Sequence, residues 1–218
     1  MNLHDAKANM IKQQIRTIGV TDPTIIHLFQ EIDRTAFVSP EHQDLAYADM
    51  MLPIGNDQVM LSPADQARIL QVLKIQPHET VLEIGTGNGF LTALLAKLAS
   101  EVISVELQAT LRSEAAVHLR RLHIDNVKLE GGNAANGWKL EAPVDVVVIT
   151  GSLPFLPTSF KACIKERGRI LAILGEQPGA MQVSLITRRD DNEYKIKSLF
   201  DTNAPALEKA VQPERFVF

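Results

Sequence analysis

The chain has 218 residues, 45% of them hydrophobic and 22% charged, with a formal net charge of -4. This is an ordinary globular composition, long enough for one α/β unit with a substantial core. No long basic block suggests nucleic acid and no apolar run is long enough to span a bilayer, while the single cysteine, Cys163, excludes an intramolecular disulfide and fits a reducing cytoplasm.

Taken in order, Leu3–Ile18 reads as an amphipathic helix stopped by Gly19, with no apolar signal core. Thr21-Asp22-Pro23 opens a second helix running to about Ile32. Asp33–Pro40 is a connector whose Phe37 and Val38 cover the core, and Glu41–Ala46 forms one or two helical turns. Tyr47–Leu61 has little helical periodicity and contains Pro53, Gly55 and an Asn-Asp pair, so it reads as a loop or short hairpin. A structured loop of this length is usually functional. Ser62-Pro63 then opens a helix to about Leu73.

Val81–Glu106 reads as strand, glycine turn, helix, strand. Gly85, Gly87 and Gly89 alternate with Thr86 and Asn88, and two acids frame the unit, Glu83 in the first strand and Glu106 ending the second. Glycines permit positive φ and close approach of a ligand, and the N-terminus of the next helix is expected to point free N–H groups at it. An acid at the end of the second strand suits ribose hydroxyls. The spacing is G-x-G-x-G and not the dinucleotide G-x-G-x-x-G, which favours a nucleoside without a pyrophosphate, S-adenosyl-L-methionine above all. A tightly packed turn without a ligand is the plainer reading, and the two acids weigh against it.

A helix over Gln108–Leu122 and a strand over Val127–Glu130 follow, the latter ending at Gly131-Gly132-Asn133. Val144–Thr150 is the most apolar strand and so central. Pro157–Arg167 reads as a helix, containing Cys163 as a small core residue, before a strand over Arg169–Leu174. Met181–Arg188 and Tyr194–Phe200 form a closing antiparallel hairpin through Arg189–Glu193. The expected fold is therefore α/β, a doubly wound and mostly parallel sheet with an N-terminal helical cap. It is expected as a single domain over residues 1–218, with cap and substrate loop in 1–75 and the cofactor-binding sheet in 76–218. Four loops, at Gly85–Gly89, Glu106, Gly132-Asn133 and Thr150–Pro154, converge beyond the carboxyl ends of the strands, where such sheets bind ligands.

These residues resemble the protein-L-isoaspartate O-methyltransferases. LEIGTGNGF looks like the family's L-E-I-G-T-G-S-G-Y, and AYADMMLPIG is similar to its A-Y-x-D-x-x-L-P-I-G. Arg34…Phe37-Val38 resembles its R-x-x-F-V, Gly137-Trp138 its G-W pair, Thr150…Pro154 its T-x-x-x-P, and Arg215-Phe216-Val217 its terminal R-F-V. The resemblance implies the S-adenosylmethionine-dependent methyltransferase fold with rearranged last strands. It implies methyl transfer from S-adenosyl-L-methionine to the free α-carboxylate of isoaspartyl residues in damaged proteins, a repair reaction that leaves S-adenosyl-L-homocysteine.

Carried over by residue, the resemblance assigns the methionine and ribose parts of the cofactor to Glu83, Gly85, Thr86, Gly87, Asn88 and Gly89. It assigns the ribose hydroxyls to Glu106, with Leu107 and Thr150 bordering the site. Asn133 stands where the family has an Asp contacting the adenine amino group, and Ala134 replaces the following glycine. The substrate loop departs from the family's G-x-G-Q-T-I-S-x-P. Gln58 is kept, but Val59 replaces the Thr, Leu61 replaces the Ser whose hydroxyl contacts the reacting carboxylate, and Ser62 is one position off. Ser62 is expected to cap the next helix in preference to replacing that hydroxyl. Weak isoaspartyl methylation is therefore expected, with two alternatives: a different methyl acceptor, or a cofactor-binding module with little catalysis. A monomer or weak dimer acting on protein or peptide, without nucleic acid, membrane or metal, completes the expectation.

Overall fold

The computed structural model describes residues 3–176, 180–190 and 193–212. Seven strands form one sheet: β3 (Thr80–Ile84), β4 (Glu101–Glu106), β5 (Val127–Gly131), β6 (Val144–Leu153), β7 (Ile164–Leu174), β8 (Met181–Arg188) and β9 (Tyr194–Thr202). Their spatial order is β5-β4-β3-β6-β7-β8-β9. The first five run parallel, while β8 and β9 are antiparallel additions. β6 is the middle strand, as its apolar run VDVVVIT predicts. Strand order reverses between β3 and β6, so the ends of β3, β4 and β6 open a crevice there.

Side-chain alternation divides the core into two layers. Val81, Val102, Val146, Val148, Leu171, Ile173 and Val183 face the N-terminal helices, while Leu82, Ile84, Val147, Ile149, Ile170 and Ala172 face the other side with Phe160. The N-terminal layer holds α1 (Leu3–Asn9), α2 (Pro23–Glu31), α3 (Pro63–Leu73) and α4 (Phe90–Ala96). α1 continues as a π-helical stretch, Met10–Ile15, and Gly19 turns the chain at φ +88. Asp22 caps α2 by accepting from Thr24 N–H at 2.9 Å. The connector is a 3₁₀ turn, Arg34–Phe37, with Phe37 and Val38 buried, and a second spans Pro40–Leu45. Tyr47–Leu61 resolves into a two-stranded hairpin, β1 (Leu52–Gly55) and β2 (Gln58–Met60), turning through Asn56 and Asp57 at positive φ. α5 (Ala109–Arg121) lies between β4 and β5.

One element departs from expectation. The helix expected over Pro157–Arg167 is a single turn, α6 (Ser159–Ala162), and β7 starts at Ile164. Phe160, Cys163 and Ile164 are buried and mimic helical spacing, but Ile164 already pairs with Val144. The polar Lys165-Glu166-Arg167 then bulges outward, Arg167 at φ +61, and pairing resumes at Arg169 with Val146. Arg215-Phe216-Val217 and part of the β8–β9 turn lie outside the described residues. Among the described residues, no helix is long and apolar enough to cross a membrane.

Candidate active site

A cleft opens at the carboxyl edge of the sheet. Its lining includes Ile84 and Gly85 after β3, Glu106 and Leu107 after β4, Gly132 to Ala135 after β5, and Thr150 and Gly151 of β6. Gly85 and Gly87 have φ of +93 and +56, and a Cβ at Gly85 would collide with the Thr150 hydroxyl, which donates to the carbonyls of Ile84 and Gly85 at 3.0 and 2.9 Å. A Cβ at Gly132 would meet the Trp138 ring, and one at Gly151 would meet Leu207. The backbone therefore comes to the cleft bare.

Glu106 is nearly buried on the cleft wall. Its two carboxylate oxygens accept from Gly87 N–H and Gln108 N–H, each at 2.9 Å. Each oxygen retains a lone pair for a ribose hydroxyl. Asn133 Oδ1 accepts from Ala135 N–H at 3.1 Å, and Asn133 and Ala134 line the wall side by side.

A smaller pocket adjoins the cleft and shares Ile54, Val59, Leu61, Gly85, Gly87 and Thr150 with it. The β1–β2 hairpin and the start of α3 close it, and Met60, Thr86, Asn88, Gln66 and Leu91 complete its wall. Val59 and Leu61 thus stand where cleft and pocket meet. Gln58 lines the cleft, but its amide donates to Glu208 at 3.3 Å. Ser62 lines neither cavity; it accepts from Asp65 N–H at 3.2 Å as the N-cap of α3. Ser62→Ala should therefore cost about 1 kcal/mol in a urea titration and leave methyl transfer unchanged. A loss of turnover without a loss of stability would instead make it a substrate contact.

Four residues expected at the cofactor do not line the cleft: Thr86 and Asn88 line only the adjoining pocket, and Glu83 and Gly89 line neither cavity. Glu83 points to the face under α4, completely buried; its Oε2 accepts from Thr92 at 2.5 Å and Ser104 at 2.6 Å, and its Oε1 has no partner. Ser104 also meets the Thr86 hydroxyl at 2.5 Å, so Glu83 braces the glycine turn from behind. The alternation of β3 decides this, because Glu83 shares a face with Val81 while Ile84 and Gly85 carry the chain to the cleft. Gly89, at φ +87, also lies off the cleft: a Cβ there would press on Ala115 of α5 at 3.0 Å. Nor does α4 offer a free first amide, since Phe90 N–H donates to Asn88 Oδ1 at 3.2 Å.

The sequence reading missed Pro205–Glu208, which lines the mouth of the cleft. Ser152 N–H donates to Pro205 O at 2.8 Å and Leu207 N–H to Ser152 O at 2.9 Å, laying this segment along the end of β6. Glu208 also accepts from Gln108 Nε2 at 2.5 Å. Nothing local marks these residues; the pairing joins positions more than fifty apart in the chain.

Comparison with known proteins identifies the family. The family model for protein-L-isoaspartate(D-aspartate) O-methyltransferases matches residues 5–206. This chain belongs to that family. A protein-L-isoaspartate O-methyltransferase from Syntrophus aciditrophicus is 36% identical over 195 residues, covering 88% of this chain and 89% of its own. Protein-L-isoaspartate O-methyltransferase 1 of Rhodopseudomonas palustris is 34% identical over 195 residues, covering 89% and 80%. A Plasmodium falciparum structure assigned to the same methyltransferases, in complex with S-adenosyl-L-homocysteine, superposes with a TM-score of 0.79 at 20% identity, covering 96% of this chain and 99% of that one. At that identity it speaks for the fold. The mostly parallel sheet, extended by β8 antiparallel to β7 and β9 antiparallel to β8, is the fold that this likeness supports.

Proposed function

We propose that this chain is an S-adenosyl-L-methionine-dependent methyltransferase that esterifies the free carboxylate of L-isoaspartyl residues in damaged proteins. The observation that carries the reading is the shared wall: a bare-backbone cleft ending in Glu106 opens, at Gly85 and Gly87, into a pocket closed by the substrate hairpin. When bound, S-adenosyl-L-methionine supplies a methyl group already activated by its sulfonium, so a carboxylate acceptor needs no general base. The chain's part is to align donor and acceptor and to exclude water. Glu106 takes the ribose hydroxyls, Asn133 and Ala134 border the adenine, and Gly85, Gly87, Leu107 and Thr150 form the cradle, with Thr86 and Asn88 in the adjoining pocket. Ile54, Val59 and Leu61 keep the acceptor side dry. The reading takes residues 1–218 as one domain in which the N-terminal cap in 1–75 supplies the acceptor side, in keeping with the core cluster that joins Met10 to Val183. A cytoplasmic location fits the single cysteine. A monomer or weak dimer acting on protein, not nucleic acid, fits the mild net charge of -4.

Transfer of labelled methyl to an isoaspartyl peptide, with the aspartyl peptide as control, tests the reading; equal labelling of both would sink it. Restoring the family loop with Val59→Thr and Leu61→Ser should raise kcat/KM by about tenfold, equivalent to about 1.4 kcal/mol, near the low end for a hydrogen bond to a charged group. No gain, with normal cofactor binding, would favour another methyl acceptor. Glu106→Ala should weaken S-adenosyl-L-homocysteine binding by about 1.5–3 kcal/mol in calorimetry. An unchanged affinity would remove the ribose assignment.

A further inference from the structure

The pocket that receives the acceptor contains one uncommitted side-chain donor. Four polar side chains line it: Thr86, Asn88, Thr150 and Gln66. Ser104 gives its hydrogen to Glu83, so Thr86 gives its own to Ser104. Both amide hydrogens of Asn88 are used, one on the Phe37 carbonyl at 2.6 Å and one on Met60 Sδ at 3.3 Å. Thr150 donates to the Ile84 and Gly85 carbonyls. Gln66 differs. Its residue is 2% exposed, its Oε1 accepts from Arg34 Nη1, and its Nε2 has no hydrogen-bond partner among the described residues.

The orientation of that amide is fixed by chemistry. A guanidinium carries donors and no acceptor, so the Gln66 oxygen must face Arg34 and the NH₂ must face away. Arg34 cannot yield, because it is 1% exposed, stacks on the Phe90 ring at 5.1 Å, and holds the Leu61 carbonyl with its other terminal nitrogen at 2.6 Å. One buried arginine thus sets both the backbone of the substrate hairpin and the amide beside it.

We propose that Gln66, positioned by Arg34, is the hydrogen-bond donor to the acceptor carboxylate, replacing the hydroxyl that Leu61 lacks. The proposal rests on the reading of a carboxylate acceptor. A carboxylate entering between Val59 and Leu61 loses water and needs a donor for its charged form. Gln66 follows Leu61 by five residues, on the first turn and a half of α3, and lines the same pocket. The amide is neutral, so it stabilises the carboxylate oxygen without neutralising the nucleophile.

The test measures methyl transfer to an isoaspartyl peptide, and calorimetric binding of that peptide with S-adenosyl-L-homocysteine present. Gln66→Leu should lower kcat/KM by about ten- to a hundredfold, the loss expected for a donor to a charged group, with S-adenosyl-L-homocysteine affinity unchanged. Gln66→Glu keeps a partner for Arg34, and so the fold, but faces the acceptor with a like charge; it should bind the cofactor product normally and lose peptide binding. Adding Leu61→Ser should raise turnover by a larger factor in Gln66→Leu than in the parent chain, a difference that a merely structural role for Gln66 does not explain. Wild-type kcat/KM in Gln66→Leu or Gln66→Glu overturns the proposal and leaves the isoaspartyl reading standing. A parallel loss of S-adenosyl-L-homocysteine affinity overturns it as well, by making Gln66 structural. If the wild-type chain binds S-adenosyl-L-homocysteine but neither binds nor methylates the peptide, the acceptor reading falls and this proposal with it.

Discussion

Replacing Arg169 with methionine should cost about 3 kcal/mol of folding stability at neutral pH. Arg169 forks onto Glu79, both contacts at 2.7 Å, and its Nε donates to the Leu73 carbonyl at 2.6 Å. The two side chains are 14% and 11% exposed, so water does little for either charge. Removing one partner leaves the other as an unpaired charge out of water, the case that costs about 3–5 kcal/mol when burial is complete. The residual exposure argues for the lower end. The pair ties β7 to the turn between α3 and β3, and so holds the cap to the sheet. It also carries a pH signature. Burial pushes the Glu79 carboxyl up, but the Arg169 hydrogen bonds, the Gln76 amide and the Arg169 charge outweigh it and hold the group below the ordinary carboxylate value. Its stabilisation is thus complete above the unfolded pKa and is lost as pH falls through the lower folded value. Urea midpoints at pH 7 and in the acid range check both statements. A variant as stable as the parent at pH 7 would show that the pair is replaceable.

Glu83 should act in the opposite sense. Burial, with help from the Glu106 charge and against the Ser104 and Thr92 hydroxyls, pushes its carboxyl up from 4.5 to about 7. Between those values the folded chain holds a proton that the unfolded chain has released. Stability therefore falls as pH rises through that window, by up to about 3 kcal/mol at one pKa unit per 1.36 kcal/mol. Glu83→Gln removes the titration. Its stability relative to the parent should improve by about 2.5 kcal/mol between pH 5 and pH 8, whatever its offset at pH 5. The same offset at both pH values, read from thermal or urea unfolding, would place the Glu83 titration outside that range.

Several features were legible because short-range chemistry dictates them. Asp22-Pro23 and Ser62-Pro63 start helices because a capping oxygen and a fixed φ act within one turn. Val144–Thr150 is central because a strand buried on both faces must be largely apolar, Asp145 at its open start being the exception. The positive φ at Gly85, Gly87 and Gly89 follows from glycine spacing, and Glu106 lies where the end of a parallel strand puts it. The expected helix at Pro157–Arg167 failed because Phe160, Cys163 and Ile164 satisfy helical spacing and strand pairing alike over so short a run.

Family membership, the methyltransferase sheet and a cleft beyond the carboxyl ends of its strands were therefore determined by the sequence by itself, through motifs whose geometry is local. Which way each side chain faces was decided by the tertiary structure. Glu83 and Gly89 belong to the glycine motif, yet one braces it from behind and the other admits α5, because strand alternation and helix packing turn them from the cleft. Pro205–Glu208 reaches the cleft mouth through pairing with β6. Gln66 shares no motif with the substrate loop. Only burial beside Arg34, thirty-two residues earlier in the chain, fixes its amide toward the pocket, since a donor-only guanidinium leaves the oxygen no other way to face.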